Sequence, residues 1–171
     1  MARELLLIRH GIAVERGSTA TDEERALTAE GRARTRKVLQ RLLQLELGCD
    51  SLLSSPLIRA RQTAELALQL GLGDTLNFRE ELSPGQDPLP LLQELLADTW
   101  KRVAIFGHEP DLSQLASHLL GCSTNSLQLK KAGVALVELE QGLPRLEPGS
   151  GQLKLLPVSY THLTLPTTKN V

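Results

Sequence analysis

The chain carries almost no net charge: 19 Lys and Arg stand against 20 Asp and Glu, a formal −1. That balance gives no general pull toward nucleic acid or a membrane surface. Only two cysteines occur, Cys49 and Cys122, far apart and without metal-type spacing. They read as reduced thiols of a cytoplasmic protein rather than as a disulfide. Long hydrophobic runs are missing too. The first apolar run, Leu5–Ile8, is too short for a signal peptide and is interrupted by Arg9-His10, and no stretch is long enough to span a bilayer. No internal repeat and no linker divides the chain. What remains, 171 residues with 41% apolar and 23% charged side chains, describes one soluble globular domain with a real core.

Apolar runs alternate with amphipathic stretches. Leu5–Ile8 predicts a buried strand, followed by a long polar loop over residues 9–27. Thr28 is the expected N-cap of a helix whose Val38, Leu39, Leu42 and Leu43 share one face, with Gly48 as its stop. Asp50–Leu53 predicts a second strand. Ser55-Pro56 predicts a helix start, with Leu57, Ala60, Ala64 and Leu68 at helical spacing. Leu76–Leu82 reads as an edge strand, Leu89–Thr99 as a helix and Arg102–Phe106 as a clear strand. Glu109-Pro110-Asp111 opens a further helix. Leu127–Lys131 and Val134–Leu139 read as a late strand pair and Leu153–Leu156 as a last strand. This rhythm implies an α/β fold, a three-layer α/β/α sandwich with a mostly parallel central sheet.

Three polar motifs follow three of these strands: Arg9-His10-Gly11, Ser54-Ser55-Pro56-Leu57-Ile58-Arg59-Ala60, and Gly107-His108-Glu109-Pro110. Ligands of open α/β sheets bind outside the carboxyl ends of parallel strands, so parallel pairing would gather all three at one edge. Arginine offers a planar donor fork for phosphate oxygens, and a neutral histidine can attack phosphorus. Gly11 is expected to let backbone and substrate approach closely. Two histidines with at least two arginines describe a phosphate site. The remaining cations have plainer readings: Arg61 as surface, Arg32, Arg34, Arg36 and Lys37 as a solvated helix face, and His118 as a surface or packing residue.

In this order, Arg9-His10-Gly11, Arg25-Ala26-Leu27-Thr28 with Gly31, Ser55-Pro56-Leu57-Ile58-Arg59-Ala60-Arg61-Gln62-Thr63-Ala64 and Gly107-His108-Glu109-Pro110 resemble the histidine phosphatase superfamily, which is phosphoglycerate mutase-like, and within it the SixA-type phosphohistidine phosphatases. The likeness runs from Ala2 to about Leu156. Ala26 departs from it, since the family usually has proline there. The resemblance implies that His10 attacks phosphorus and becomes phosphorylated, and that Arg9, Arg25 and Arg59 clamp the phosphoryl oxygens. It also implies that His108 completes the pocket and stabilises transition-state charge. Arg9, Gly11, Arg25, Arg59 and His108 would then bind substrate, with His10, His108, Arg9 and Arg59 catalytic. No metal and no cofactor is expected, because the arginines neutralise the phosphoryl group.

Related enzymes use a glutamate after the third strand as general acid, and Glu81 falls in the corresponding region. A phosphohistidine ring protonated on its other nitrogen leaves as neutral imidazole and needs that acid less than an alkyl phosphate does. With only a short loop between Leu82 and Leu89, an open site is expected, suited to phosphohistidine on a partner such as a phosphotransfer or carrier protein. The alternatives are a phosphatase or mutase for a small phosphorylated metabolite and a non-catalytic phosphate-binding module. A monomer is expected, with residues 1–157 as the domain. Residues 158–171 resemble a translated sequencing adaptor and are expected to be a non-native or disordered tail.

Overall fold

A computed structural model describes residues 2–155, so the tail assigned to 158–171 lies outside the described residues. Six strands form one sheet in the order β3-β2-β4-β1-β5-β6. The strands are β1 (Arg3–Arg9), β2 (Ser51–Ser54), β3 (Leu76–Phe78), β4 (Arg102–Gly107), β5 (Val134–Leu139) and β6 (Gly151–Leu155). β3, β2, β4 and β1 run parallel, whereas β5 and β6 join antiparallel. Helices α1 (Ala29–Gln44) and α2 (Ile58–Leu70) cover one face; α3 (Leu89–Leu95) and α4 (Asp111–Leu120) cover the other. None of the described helices is long and apolar enough to cross a membrane.

The central strands are continuous apolar runs because both their faces are covered. Along β1 the faces alternate. Leu6 and Ile8 pack with Val38, Leu39 and Leu42 of α1, while Leu5 and Leu7 pack with Leu112, Leu115 and Ala116 of α4. β4 divides the same way, Ala104 and Phe106 to one side and Val103 and Ile105 to the other.

Several boundaries depart from the sequence reading. α1 ends at Gln44 rather than near Gly48, because Glu46 takes the left-handed position (φ 59°). Leu47 N–H then donates to Leu42 C=O and Glu46 N–H to Leu43 C=O, so the chain end is closed before the glycine is reached. α2 begins at Ile58 with Leu57 as N-cap, two residues after the expected Ser55 cap. Leu68 is exposed, unlike the buried Ala60, Thr63, Ala64, Leu66 and Ala67 of the same helix. The edge strand stops at Phe78 and continues as a 3-10 turn, Glu80–Leu82. Residues 127–131 form no strand, and β5 pairs instead with β1 and β6.

The Thr28 cap is as expected: its hydroxyl accepts from Gly31 N–H at 2.9 Å. Gly31 itself lies against the chain entering the helix. A Cβ there would overlap the Ile12 carbonyl, which is main chain and cannot rotate aside. Gly31→Ala is therefore expected to destabilise by about 2–3 kcal/mol, as overpacking does, despite alanine's better helix propensity. Urea unfolding of the purified variant would measure it.

Candidate active site

Register builds the site. Arg9 pairs with Gly107 across β1 and β4, so His10 and His108 leave neighbouring parallel strands side by side, ring centroids 5.3 Å apart. Ser54 pairs with Phe106, which sets Ser55 beside them at the end of β2. All three motifs thus reach one edge of the sheet. They open into a cavity of about 380 Å³, whose lining includes Arg9, His10, Asp22, Arg25, Arg59 and His108. Pro84, Glu109, Arg16 and Lys131 also border it.

His10 is 6% exposed, and its Nδ1 lies 2.7 Å from the Gly11 carbonyl. A carbonyl only accepts, so Nδ1 carries the hydrogen and the neutral ring keeps its lone pair on Nε2. Burial pushes the His10 pKa down to about 3, against the Gly11 bond, with His108, Arg59 and Arg9 adding to the depression. The ring is therefore a neutral base at physiological pH. Burial, then Arg59, holds His108 down at about 4. Its Nε2 lies 2.8 Å from Ser55 Oγ, while its buried Nδ1 has no hydrogen-bond partner.

The three arginines are fixed by different contacts. Arg9 Nη1 donates to the Leu129 carbonyl at 2.9 Å. Arg25 donates through Nε to Asp22 Oδ1 at 2.8 Å and through Nη1 to the Val14 carbonyl at 3.0 Å. Arg59 donates through Nη1 to the Asp22 carbonyl and through Nη2 to Asp22 Oδ2, at 2.9 and 3.0 Å. Asp22, which the sequence reading passed over, thus ties two arginines together, and the Arg25 hydrogen bond and the Arg59 charge hold its carboxyl below the usual range. Its place three residues before Arg25 was the available signal. Glu109 is the second omission. The sequence places it in the third motif and at the opening of a helix without a role of its own, yet it borders the cavity beside Arg9.

Two of the expected site residues lie outside the cavity lining. Gly11 does not line the cavity, and its N–H donates to Thr63 Oγ1 at 3.0 Å. Its missing side chain serves packing, because a Cβ there would overlap Thr35 Oγ1 of α1. Glu81 is also outside the lining. Arg79 Nη2 donates to its Oε1 at 2.8 Å, and that bond holds the Glu81 carboxyl below its ordinary range, the ionised form that a proton donor cannot use. Arg61 pairs with Glu65 at the surface, as expected of it.

A family model described as the histidine phosphatase superfamily (branch 1) matches residues 5–83. An uncharacterized protein of Picosynechococcus is 38% identical over 148 residues, covering 84% of this chain and 88% of that one. The chain belongs to the histidine phosphatase superfamily. Among solved structures, the protein histidine phosphatase SixA complexed with tungstate superposes with a TM-score of 0.81 at 25% identity, over 94% of this chain and 99% of that chain. A mycobacterial glucosyl-3-phosphoglycerate phosphatase shares the fold, with a TM-score of 0.74 at 17% identity, over 92% of this chain and 100% of that chain. Phosphatase is accordingly the activity class of this superfamily member, and its mostly parallel sheet is the phosphoglycerate mutase-like one.

The depressed histidines have a stability consequence. Unfolded imidazole titrates near 6.5, so below that pH the unfolded chain takes up protons that folded His10 and His108 refuse. Their contribution is complete above pH 6.5 and declines as pH falls toward 4 and 3. Each histidine changes stability by about 1.4 kcal/mol per pH unit inside that window. Urea unfolding at pH 7.0 and 5.5 is expected to differ by about 2.5 kcal/mol, and His10→Asn should remove about half of the difference.

Proposed function

We propose that this protein is a phosphohistidine phosphatase that acts on a partner protein through a phospho-His10 intermediate. The observation that carries the reading is the His10 ring, neutral and with its Nε2 lone pair free, among Arg9, Arg25 and Arg59. Nε2 attacks phosphorus as the bond to the partner's imidazole nitrogen breaks. The departing ring keeps that electron pair and, protonated on its other nitrogen, leaves neutral. Water then attacks phospho-His10, releasing phosphate and returning the electron pair to Nε2. Arg9, Arg25 and Arg59 hold the phosphoryl oxygens throughout, and His108 donates to the oxygen that gains charge. The SixA relative with bound tungstate supports an oxyanion at such a site.

The choice of phosphohistidine over an ester is supported by Glu81, which is ionised on Arg79 away from the cavity. A leaving group that needs no proton fits such a site. The test compares a phosphohistidine carrier protein with alkyl phosphate esters, on wild type and Glu81→Gln. The expected result is faster release from phosphohistidine and no effect of Glu81→Gln on either substrate. Faster ester hydrolysis that Glu81→Gln abolishes would assign the protein to small phosphorylated metabolites instead.

A further inference from the structure

We infer that Glu109 and Ser113 are positioning residues for Arg9, acting through the main chain of Leu129. The inference rests on reading the cavity as a phosphatase site. Residues 127–133, with a strand expected over 127–131, run without regular structure across the end of β1. There they hold the first motif at three points. Arg9 Nη1 donates to the Leu129 carbonyl at 2.9 Å. Ala132 N–H donates to the His10 carbonyl and Arg9 N–H to the Gly133 carbonyl, both at 3.0 Å. An arginine anchored to an irregular segment is only as well placed as that segment.

Leu129 is itself gripped. Its N–H donates to Ser113 Oγ at 3.1 Å and to Glu109 Oε2 at 3.3 Å. The Ser113 hydroxyl donates to Glu109 Oε2 at 2.5 Å, and Ser113 N–H to Glu109 Oε1 at 3.1 Å. Ser113 and Leu129 are both buried, with Leu129 packed in the apolar cluster that includes Leu112 and Leu115. Both main-chain polar groups of Leu129 are therefore taken, N–H by the Glu109–Ser113 pair and C=O by Arg9. Every group facing the Glu109 carboxylate is a donor, so an acceptor-only side chain is required. Glutamine in its place would turn an NH2 toward a donor and leave a buried N–H unmatched. The same negative charge favours the cationic form of Arg9. A phosphoryl clamp displaced by about 1 Å loses about a hundredfold in rate, which makes this second layer matter.

The experiment is a double-mutant cycle on the full chain. Glu109→Gln is expected to lower kcat/KM about 10–100-fold with an unchanged shape of pH profile, and Ser113→Ala by a smaller factor. In an Arg9→Ala background, neither change is expected to lower activity further. The Arg9 Nε–H signal in 15N-resolved NMR, which does not depend on turnover, should shift or broaden in both single variants. Wild-type activity in Glu109→Gln, or fully additive losses in the cycle, would overturn the inference. Loss of one limb of the pH profile would also overturn it, by making Glu109 a proton donor. If Glu109→Gln does not fold, Ser113→Ala carries the same cycle and the same NMR reading. A wild type that turns over none of the phosphorylated substrates would sink the functional reading alone, because an unmoved Arg9 signal is what would sink the placement of Arg9.

Discussion

His10→Asn is expected to lower turnover about ten-thousandfold or more while the protein stays folded. The asparagine amide can still donate to the Gly11 carbonyl, as His10 Nδ1 does at 2.7 Å. What it lacks is Nε2, the atom with the free lone pair. The same variant should no longer retain radioactive phosphate after acid-free quenching, whereas the wild type should carry it on one histidine. Circular dichroism and melting temperature at pH 7 should match the wild type. Substantial turnover by a natively folded His10→Asn protein would remove His10 from the nucleophile's role.

Arg59→Ala should cost about 10²–10³-fold in kcat/KM, or about 3–4 kcal/mol of transition-state stabilisation. The side chain is 4% exposed, borders the cavity and sits at the start of α2, where it also holds Asp22 through two hydrogen bonds. Arg59→Lys should recover little, since one ammonium cannot replace a planar fork. Arg61→Ala is the control two residues away. That side chain is 55% exposed and paired with Glu65 on its own helix, and such a pair contributes only a few tenths of a kcal/mol, so activity should stay within about twofold of wild type. A damaging Arg61→Ala beside a harmless Arg59→Ala would mean that the helix presents its other side to substrate.

What could be read from sequence was set by how local each signal is. Strands β1, β2 and β4 announce themselves as short apolar runs ending in polar motifs, because burial on both faces demands apolar side chains at every position. Their common parallel direction follows from the helices between them, and with it the gathering at one sheet edge of the motifs that hold His10, His108, Arg9 and Arg59. The Thr28 cap was legible because the hydrogen bond that makes it spans three residues. The end of α1 was not, because Glu46 takes a conformation in which glycine is the default. Residues 127–131 have the composition of a strand, but their polar groups answer to Arg9 and Glu109, residues distant in the chain. Gly11 shows the same distance in the chain: the group it leaves room for is Thr35 on α1. Glu81, expected near the site, lies outside the cavity lining and is paired with Arg79, two residues away, which composition alone did not signal.

The strand order also governs when this site can come into being. β1 and β2 never touch, and β4 lies between them, pairing Leu5 with Val103 on one side and Leu52 with Ala104 on the other. A chain emerging from the ribosome has made His10, Arg25 and Arg59 long before β4 exists. Until then β1, which leads into His10, and β2, which leads into the helix of Arg59, have nothing to hold them apart at the right spacing. Such long-range pairing closes slowly and leaves strand edges open meanwhile. The insertion of β4 then delivers both the missing strand and His108 in a single event. Nascent or split versions of this protein that stop before β4 are accordingly expected to hold most of the residues proposed to bind phosphate and yet have no site, so that the polypeptide gains its proposed chemistry all at once.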